Sequence, residues 1–355
     1  MFTLSVCLIV KNEEKVLARC LNCARQFADE IVVVDTGSTD STKQIAKIFT
    51  QNVYNFKWVD DFSKARNFSF QKATCDFVMW LDADDVISKE NIQKIIELKK
   101  TQTPADVYML KYEIAFDENN NPTFSYFRER ILRRKMNFFW EGFVHEAIVP
   151  RGKIEHLEIS IEHRKIKVAN PKRNLQLYNK KIKEGHVLSP REQFYYSREL
   201  FYNQQYKKCI KTLKTYLKNK SLFPANRQDA HKILAQAYIQ TNKTLLAKNC
   251  LIDSLKFSAP SAEICCLLGN LAIKNSIQEA AFWFKCALNC EKNLESGAFV
   301  EDQYYNLIPF IQLCYINYKL GNISLSKEFH EKAKKINPKN PSVLYNDKFF
   351  KSLKI

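Results

Sequence analysis

Near residue 190 the hydrophobic pattern changes its period, and this limits the chain to two differently built halves. Before that point, short apolar runs alternate with helical patterns. LSVCLIV (4–10), EIVVVDTGS (30–38), VYNFKW (53–58), DFVMWLDA (76–83) and DVYMLKYEIAF (106–116) read as strands, and 13–25, 38–49, 62–73 and 88–100 read as helices. Continuous β-branched runs such as EIVVV suit strands buried on both faces, and the alternation of strand and helix gives a mostly parallel α/β sheet. Ligands of such sheets gather at the carboxyl ends of the strands. After about residue 190 the strands vanish. Amphipathic helical segments follow at 192–219, 227–256, 261–290 and 306–340, with a period near 34 residues.

The last segment has the spacing of a tetratricopeptide repeat, with Leu320-Gly321, Phe329, Ala333 and Pro338 in place. The others read as degenerate copies. One such unit cannot bury its apolar face alone, so the copies must stack; an unrelated helical bundle is the competing reading. The expected domains are an α/β domain at 1–165, a linker or helical connection at 166–190, and tetratricopeptide-like helices at 191–355. Such arrays bind peptides or mediate dimerisation, so a homodimer through the helices is one option.

A formal net charge of +17 favours acidic partners: nucleotide phosphates, acidic peptides or anionic lipid headgroups. The plain alternative is a Lys-rich solvated surface. The chain has neither an aromatic-plus-basic RNA-binding signature nor zinc-finger spacing, which argues against nucleic acid. Its 11 cysteines are scattered, and the one Cys-x-x-Cys, Cys20 to Cys23, has no second pair to close a zinc site. That usage fits a reducing, cytoplasmic setting. No segment approaches the ~20 apolar residues of a membrane span. The opening MFTLSVCLIVKNEE lacks the basic start of a signal peptide and reads as a buried strand.

The strand 76–83 ends in WLDADD, so Asp82, Asp84 and Asp85 follow an apolar run at once. A D-x-D unit at a strand end can hold Mg²⁺ or Mn²⁺ while substrate phosphates supply other ligands. Standing alone, such a cluster is more often a helix N-cap. Asp35 ends the second strand, at the same expected edge.

Taken together, CLIVKNEE (7–14), EIVVVDTGSTDST (30–42), WVDDFSKARN (58–67) and WLDADD (80–85) resemble the inverting family 2 glycosyltransferases of the GT-A fold. The likeness is to the branch with V-D-T-G-S-T-D and D-D-F-x-x-A-R-N, over roughly the first 165 residues. It implies a Rossmann-like GT-A domain, a UDP-sugar donor and a divalent metal, Mg²⁺ or Mn²⁺. It places Asp35 at the nucleotide base or ribose, with Asn12 and Glu14 beside it. Asp61, Arg66 and Asn67 would line the donor pocket, Arg66 partnering Asp35 or phosphate. Asp82 would contact ribose or metal, and Asp84 the metal. Thr36 stands where many members carry a second Asp, and Gly37 marks a tight turn. An Asp61–Arg66 surface ion pair is the plain alternative for those two residues.

FFWEGFVHEAIV (138–149) is similar to the branch's F-x-G-x-V-H-E. Inverting transfer needs a base for the acceptor proton, and Glu146 is the candidate, with His145 binding phosphate or orienting the acceptor. The two roles are exchangeable, and a turn with a core histidine competes with both. His163, closing EISIEH, is a third metal ligand or an ordinary strand-end histidine. Arg130, Arg133 and Arg134 form a phosphate clamp or a solvated basic face. Trp140 stacks on a sugar or packs in the core.

A transferase domain followed by degenerate repeat helices resembles the sublancin-type peptide glycosyltransferases of bacteriocin biosynthesis. That likeness implies transfer of a hexose, from UDP-glucose by preference, to Cys or Ser of a ribosomal precursor peptide. The alternative is a cell-surface glycan or lipopolysaccharide-core transferase with a membrane-linked acceptor, touching the membrane through the basic segment 166–183. A non-catalytic scaffold is the third reading, opposed by the intact D-x-D and Glu146.

Overall fold

Each apolar run of the first half is a strand of one mixed sheet. Strands β1 (Leu4–Val10), β2 (Glu30–Asp35), β3 (Val53–Asn55) and β4 (Phe77–Leu81) pair in parallel. Both faces of β1 are covered: Leu4, Val6 and Leu8 enter one core and Cys7 another, with Val32, Val34 and Val78. This double burial is why the runs are continuous rather than alternating. The remaining sheet strands are β5 (Asp85–Val86), β6 (Val107–Phe116), β7 (Pro122–Arg133) and β10 (Ile154–His163), in the order β3-β2-β1-β4-β7-β6-β10-β5. A separate ribbon joins β8 (Trp140–Glu141) to β9 (Ala147–Ile148).

The computed structural model describes residues 1–101, 104–118, 120–166, 170–222, 224–292 and 300–353. The chain divides into two units, Met1–Val187 and Leu188–Ile355. In the first, helices α1 (Leu17–Ala24), α2 (Thr42–Phe49), α3 (Phe62–Lys72) and α4 (Lys89–Leu98) alternate with the strands. The helix expected from Ser38 starts at Thr42, because the Asp40 carboxylate accepts from Thr42 N at 3.0 Å. The strand expected over 53–58 stops at Asn55. β7 departs from a parallel sheet: it is the return arm of a hairpin with β6 and runs antiparallel to both its neighbours, as a short connection requires. The expected connection 166–190 contains helix α5 (Arg173–Lys183), whose Tyr178 is fully buried against Phe143, so it is part of the first unit. Residues 167–169 of the basic segment 166–183 lie outside the described residues.

The second unit is helical among its described residues. Its hairpins are α6 (Pro190–Tyr202) with α7 (Tyr206–Tyr216), α8 (Pro224–Gln240) with α9 (Thr244–Ser254), α10 (Ala262–Ala272) with α11 (Ile277–Leu288), and α12 (Leu307–Lys319) with α13 (Ile323–Ile336). Helix α14 (Pro341–Ser352) closes the series. A capping box of Ser189 and Glu192, with Pro190 in the first turn, opens it. Gly269 lets α10 and α11 close up: a Cβ there would stand 2.8 Å from the Phe284 ring. Among the described residues no helix is long and apolar enough to cross a membrane, and all 11 cysteines are free thiols.

Candidate active site

Strands β1 to β4, β6 and β10 share one direction. Asp35, Asp82 and His163 therefore finish at one edge of the sheet. There the tip of β4 closes on itself. Asp85 N donates to Asp82 O at 3.0 Å, and Asp82 N donates to Asp85 Oδ2 at 3.0 Å. Asp85 is 1% exposed, and its carboxylate also accepts from Tyr112 Oη at 2.9 Å and Arg130 Nη1 at 3.1 Å. Arg130 is fully buried, its guanidinium 3.5 Å from the Trp80 ring centre and 4.1 Å from that of Tyr112. Its Nε and Nη2 have no hydrogen-bond partner among the described residues; the two ring faces take up part of its charge instead. A buried ion pair thus braces the acidic tip from below.

Asp82 and Asp84 are the less buried carboxylates of the tip, their side chains 29% and 17% exposed. Asp82 Oδ1 accepts from Arg66 Nη2 at 2.7 Å. Burial opposes ionisation of Asp82, but Arg66, His163 and Arg130 outweigh it and hold its pKa well below the ordinary carboxylate range. His163 Nδ1 lies 3.1 Å from Asp84 Oδ1 and 3.1 Å from Asp85 Oδ1. Burial alone would lower its pKa, yet the hydrogen bonds to Asp84 and Asp85 lift it to about 9.

These residues fit a divalent cation. Asp82, Asp85 and His163 offer donor atoms within 4.8 Å of one another, and Asp84 joins them through His163. Both Asp85 oxygens are already held by Tyr112, Arg130 and the main chain of Asp82. The Asp82 oxygens are engaged as well, Oδ1 by Arg66 and Oδ2 by Tyr112 Oη at 3.3 Å, so a cation held by these carboxylates and the His163 imidazole would displace hydrogen bonds and the imidazole proton.

Arg66 links this cluster to the ribbon. Its Nε donates to Glu146 Oε1 at 2.7 Å, opposite the bond to Asp82, and its guanidinium sits 5.0 Å from the Trp80 ring and 4.7 Å from the Trp140 ring. Burial disfavours the charge, but the ion pairs with Asp82 and Glu146 raise its pKa above the ordinary guanidinium value. Helix α3 carries Arg66, and Asp61 caps that helix through Lys64 N at 3.1 Å. Asn67, one residue on, clasps the Trp140 main chain, donating to its O at 3.0 Å and accepting from its N at 2.8 Å. Phe62 N donates to Phe143 O at 2.9 Å. The ribbon that presents His145 and Glu146 is thus pinned to α3 at three places, and His145 takes a left-handed φ of 53° in its turn.

At the end of β2, Asp35 is 2% exposed and accepts from Gly37 N at 3.2 Å and Ser38 N at 3.1 Å. Gly37 has a φ of 104°, as the tight turn requires. Asn12 Oδ1 accepts from Thr39 N at 2.7 Å, and Glu14 Oε2 from Ser41 N at 3.1 Å. Asn12, Glu14 and Asp35 together shape the loop after β2.

Several expectations need correction. Arg66 pairs with Asp82 and Glu146, and neither with Asp35 nor with Asp61, which caps α3 instead. Asn67 has both amide atoms engaged by the Trp140 main chain, so it positions the ribbon. Arg130, Arg133 and Arg134 do not share one environment: the first is buried, the second half-buried and the third exposed. Arg130 is buried on Asp85, Arg133 binds Asp106 and the Pro104 and Ala105 carbonyls, and Arg134 binds the Cys75 carbonyl. Trp140 is 2% exposed and packs on Trp80 at 5.1 Å, so core packing holds rather than sugar stacking. Sequence reasoning passed over Tyr112, the bracing roles of Asp85 and Arg130, and Arg19. Arg19 Nη2 donates to the carbonyls of Asp84 at 3.2 Å and Arg164 at 2.7 Å, tying the tip to the end of β10. Asp85 alone left a signal, as the final residue of WLDADD.

The family model for glycosyl transferase family 2 matches residues 5–152. Over 258 residues, 68% of this chain and 60% of that one, the chain is 29% identical to the SPbeta prophage-derived glycosyltransferase SunS of Bacillus subtilis. It is 41% identical to a TPR repeat-containing protein of Synechococcus elongatus over 90 residues, 25% of this chain and 22% of that one. It therefore spans less than two thirds of the length of these relatives. Among solved structures, S. aureus TarS 1–349 in complex with UDP-GlcNAc aligns at 14% identity and a TM-score of 0.38, over 94% of this chain and 92% of that one.

Proposed function

We propose that this chain is a metal-dependent inverting glycosyltransferase. It moves a hexose from a UDP-sugar, UDP-glucose by preference, to a Cys or Ser side chain of a ribosomal bacteriocin precursor peptide in the cytoplasm. The observation that supports the reading is the convergence of Asp82, Asp85 and His163, with Asp84 beside His163, and the Arg66–Glu146 pair, at the strand edge of the region that the family 2 model matches. For the peptide acceptor, the support is that the SunS match, 258 residues long, extends beyond the domain matched at 5–152. It thus shares more than the catalytic fold with that relative.

Under this reading Asp82, Asp84 and His163 hold Mg²⁺ or Mn²⁺, which when bound offsets the charge on the departing diphosphate. The loop of Asn12, Glu14 and Asp35 seats the uridine. Glu146 takes the proton of the acceptor thiol or hydroxyl as its sulfur or oxygen bonds to the anomeric carbon. The bond from that carbon to the UDP oxygen breaks, and the configuration inverts. Arg66 holds Glu146 in place, and His145 orients the acceptor. A thiol, with an ordinary pKa near 8.5, asks little of the base.

The test is incubation with UDP-sugars and Mn²⁺ or Mg²⁺, followed by mass spectrometry of a candidate precursor peptide. Donor hydrolysis and a hexose adduct are expected, and Asp84→Ala abolishes both while circular dichroism stays unchanged. Inactivity with every UDP-sugar, or full activity of Asp84→Ala, would overturn the reading.

A further inference from the structure

The outward faces of the second helices of the repeat hairpins carry side chains that sugar transfer does not use. Lys207, Lys211 and Lys214 recur at helical spacing along α7 and Lys218 follows in the turn just past its end, a stripe ~16 Å long at about 1.5 Å per residue. All four are exposed and none has an acidic partner among the described residues. The second unit as a whole has 25 Lys and Arg against 13 Asp and Glu, so the stripe sits on a net cationic unit.

Counted from the first residue of each helix, the positions of Lys207 and Lys214 fall on Leu245 and Ile252 in α9, and that of Lys211 on Phe282 in α11. These three are 71%, 39% and 57% exposed. The outward register is thus cationic in the first hairpin, largely apolar in α9, where Asn249 takes the middle position, and mixed in α11, where Phe282 lies between Gln278 and Lys285. Uncompensated lysines repel one another, and exposed leucine, isoleucine and phenylalanine order water without return. A soluble acidic peptide would relieve only the first. An anionic lipid surface relieves both: headgroups meet the ammonium groups, and the acyl boundary receives the apolar side chains.

We propose that this face of the helical unit docks reversibly on an anionic lipid surface. The inference stands apart from the reaction proposed above. It is tested by co-sedimenting the full chain with vesicles of phosphatidylcholine alone and with vesicles enriched in phosphatidylglycerol. Binding to the second only is expected, falling with added salt. Each Lys→Gln change in the stripe should weaken it about five-fold, and Leu245→Ser with Ile252→Ser should weaken it without altering capture of soluble polyglutamate. Single lysine variants carry the test should a multiple variant fail to fold, as circular dichroism will show. No sedimentation with phosphatidylglycerol would overturn the proposal. So would equal binding by all lysine variants, or polyglutamate held as tightly as the vesicles, which would assign the stripe to acidic peptides. Donor hydrolysis read on the same samples reports on the catalytic proposal separately.

Discussion

Arg66 serves two carboxylates with one guanidinium, and its planar fork is what permits this. Replacing it with Ala leaves Asp82 and Glu146 facing each other in a buried site. Arg66→Ala should therefore lower stability by about 3–5 kcal/mol, the usual effect of breaking one side of a buried pair, and reduce transfer at least tenfold. Urea unfolding and donor turnover check the two effects. Arg66→Lys should recover part of the stability, because the charge remains, but not the activity, because an ammonium cannot hold both oxygens in the same geometry. Which residues share the strand edge was legible in the sequence: apolar runs that stop at Asp35, Asp82 and His163 announce where strands end. Their supports were not legible. Arg130 reads as one more basic residue in a basic stretch. Only the pairing of β4 with β7 reveals that it lies beneath Asp85, 45 positions away.

The elements were readable where burial imposes a period, and less so where one side-chain contact decides the outcome. The four continuous strands and the helical hairpins follow directly from apolar spacing. The β7 arm and the β8–β9 ribbon do not, since half-exposed hairpins and two-residue strands leave little pattern. Asn67 shows what fixes such an element. Asn67→Ala should free the ribbon, lower stability by about 1–3 kcal/mol through the unpaired Trp140 main chain, and depress kcat while leaving the donor KM near its original value. Steady-state kinetics distinguishes this from a loss of donor binding. In the second unit, α8 and α9 meet at His231, whose Nδ1 lies 3.1 Å from Cys250 O. Burial, only partly opposed by that carbonyl, holds its pKa below the ordinary 6.5. Unfolding releases a histidine that takes up a proton more readily. Its contribution to stability is complete above pH 6.5 and is lost as pH falls through the folded value. Helical circular dichroism in urea, measured from pH 8 to pH 5, should show this decline, and His231→Gln should flatten it.

Two periods in one chain give two units with separate cores, and the boundary after Val187 lies within a few residues of the change of pattern at Pro190. A chain ending at Val187 retains every residue assigned to donor, metal and base. It should hydrolyse UDP-sugar at a rate within a few-fold of the whole protein and fail to modify a precursor peptide. Peptide modification by the shortened chain would show that the helices do not receive the acceptor. The brace under the acidic tip also bears on how relatives are recognised. A D-x-D is cheap to find by chance, whereas a tyrosine and an arginine on adjoining hairpin arms, aligned to grip the fourth acidic-loop residue, form a far rarer signature. Chains that keep the aspartates but lack that pair would be expected to have a slack acidic loop, however faithful their motifs look on paper.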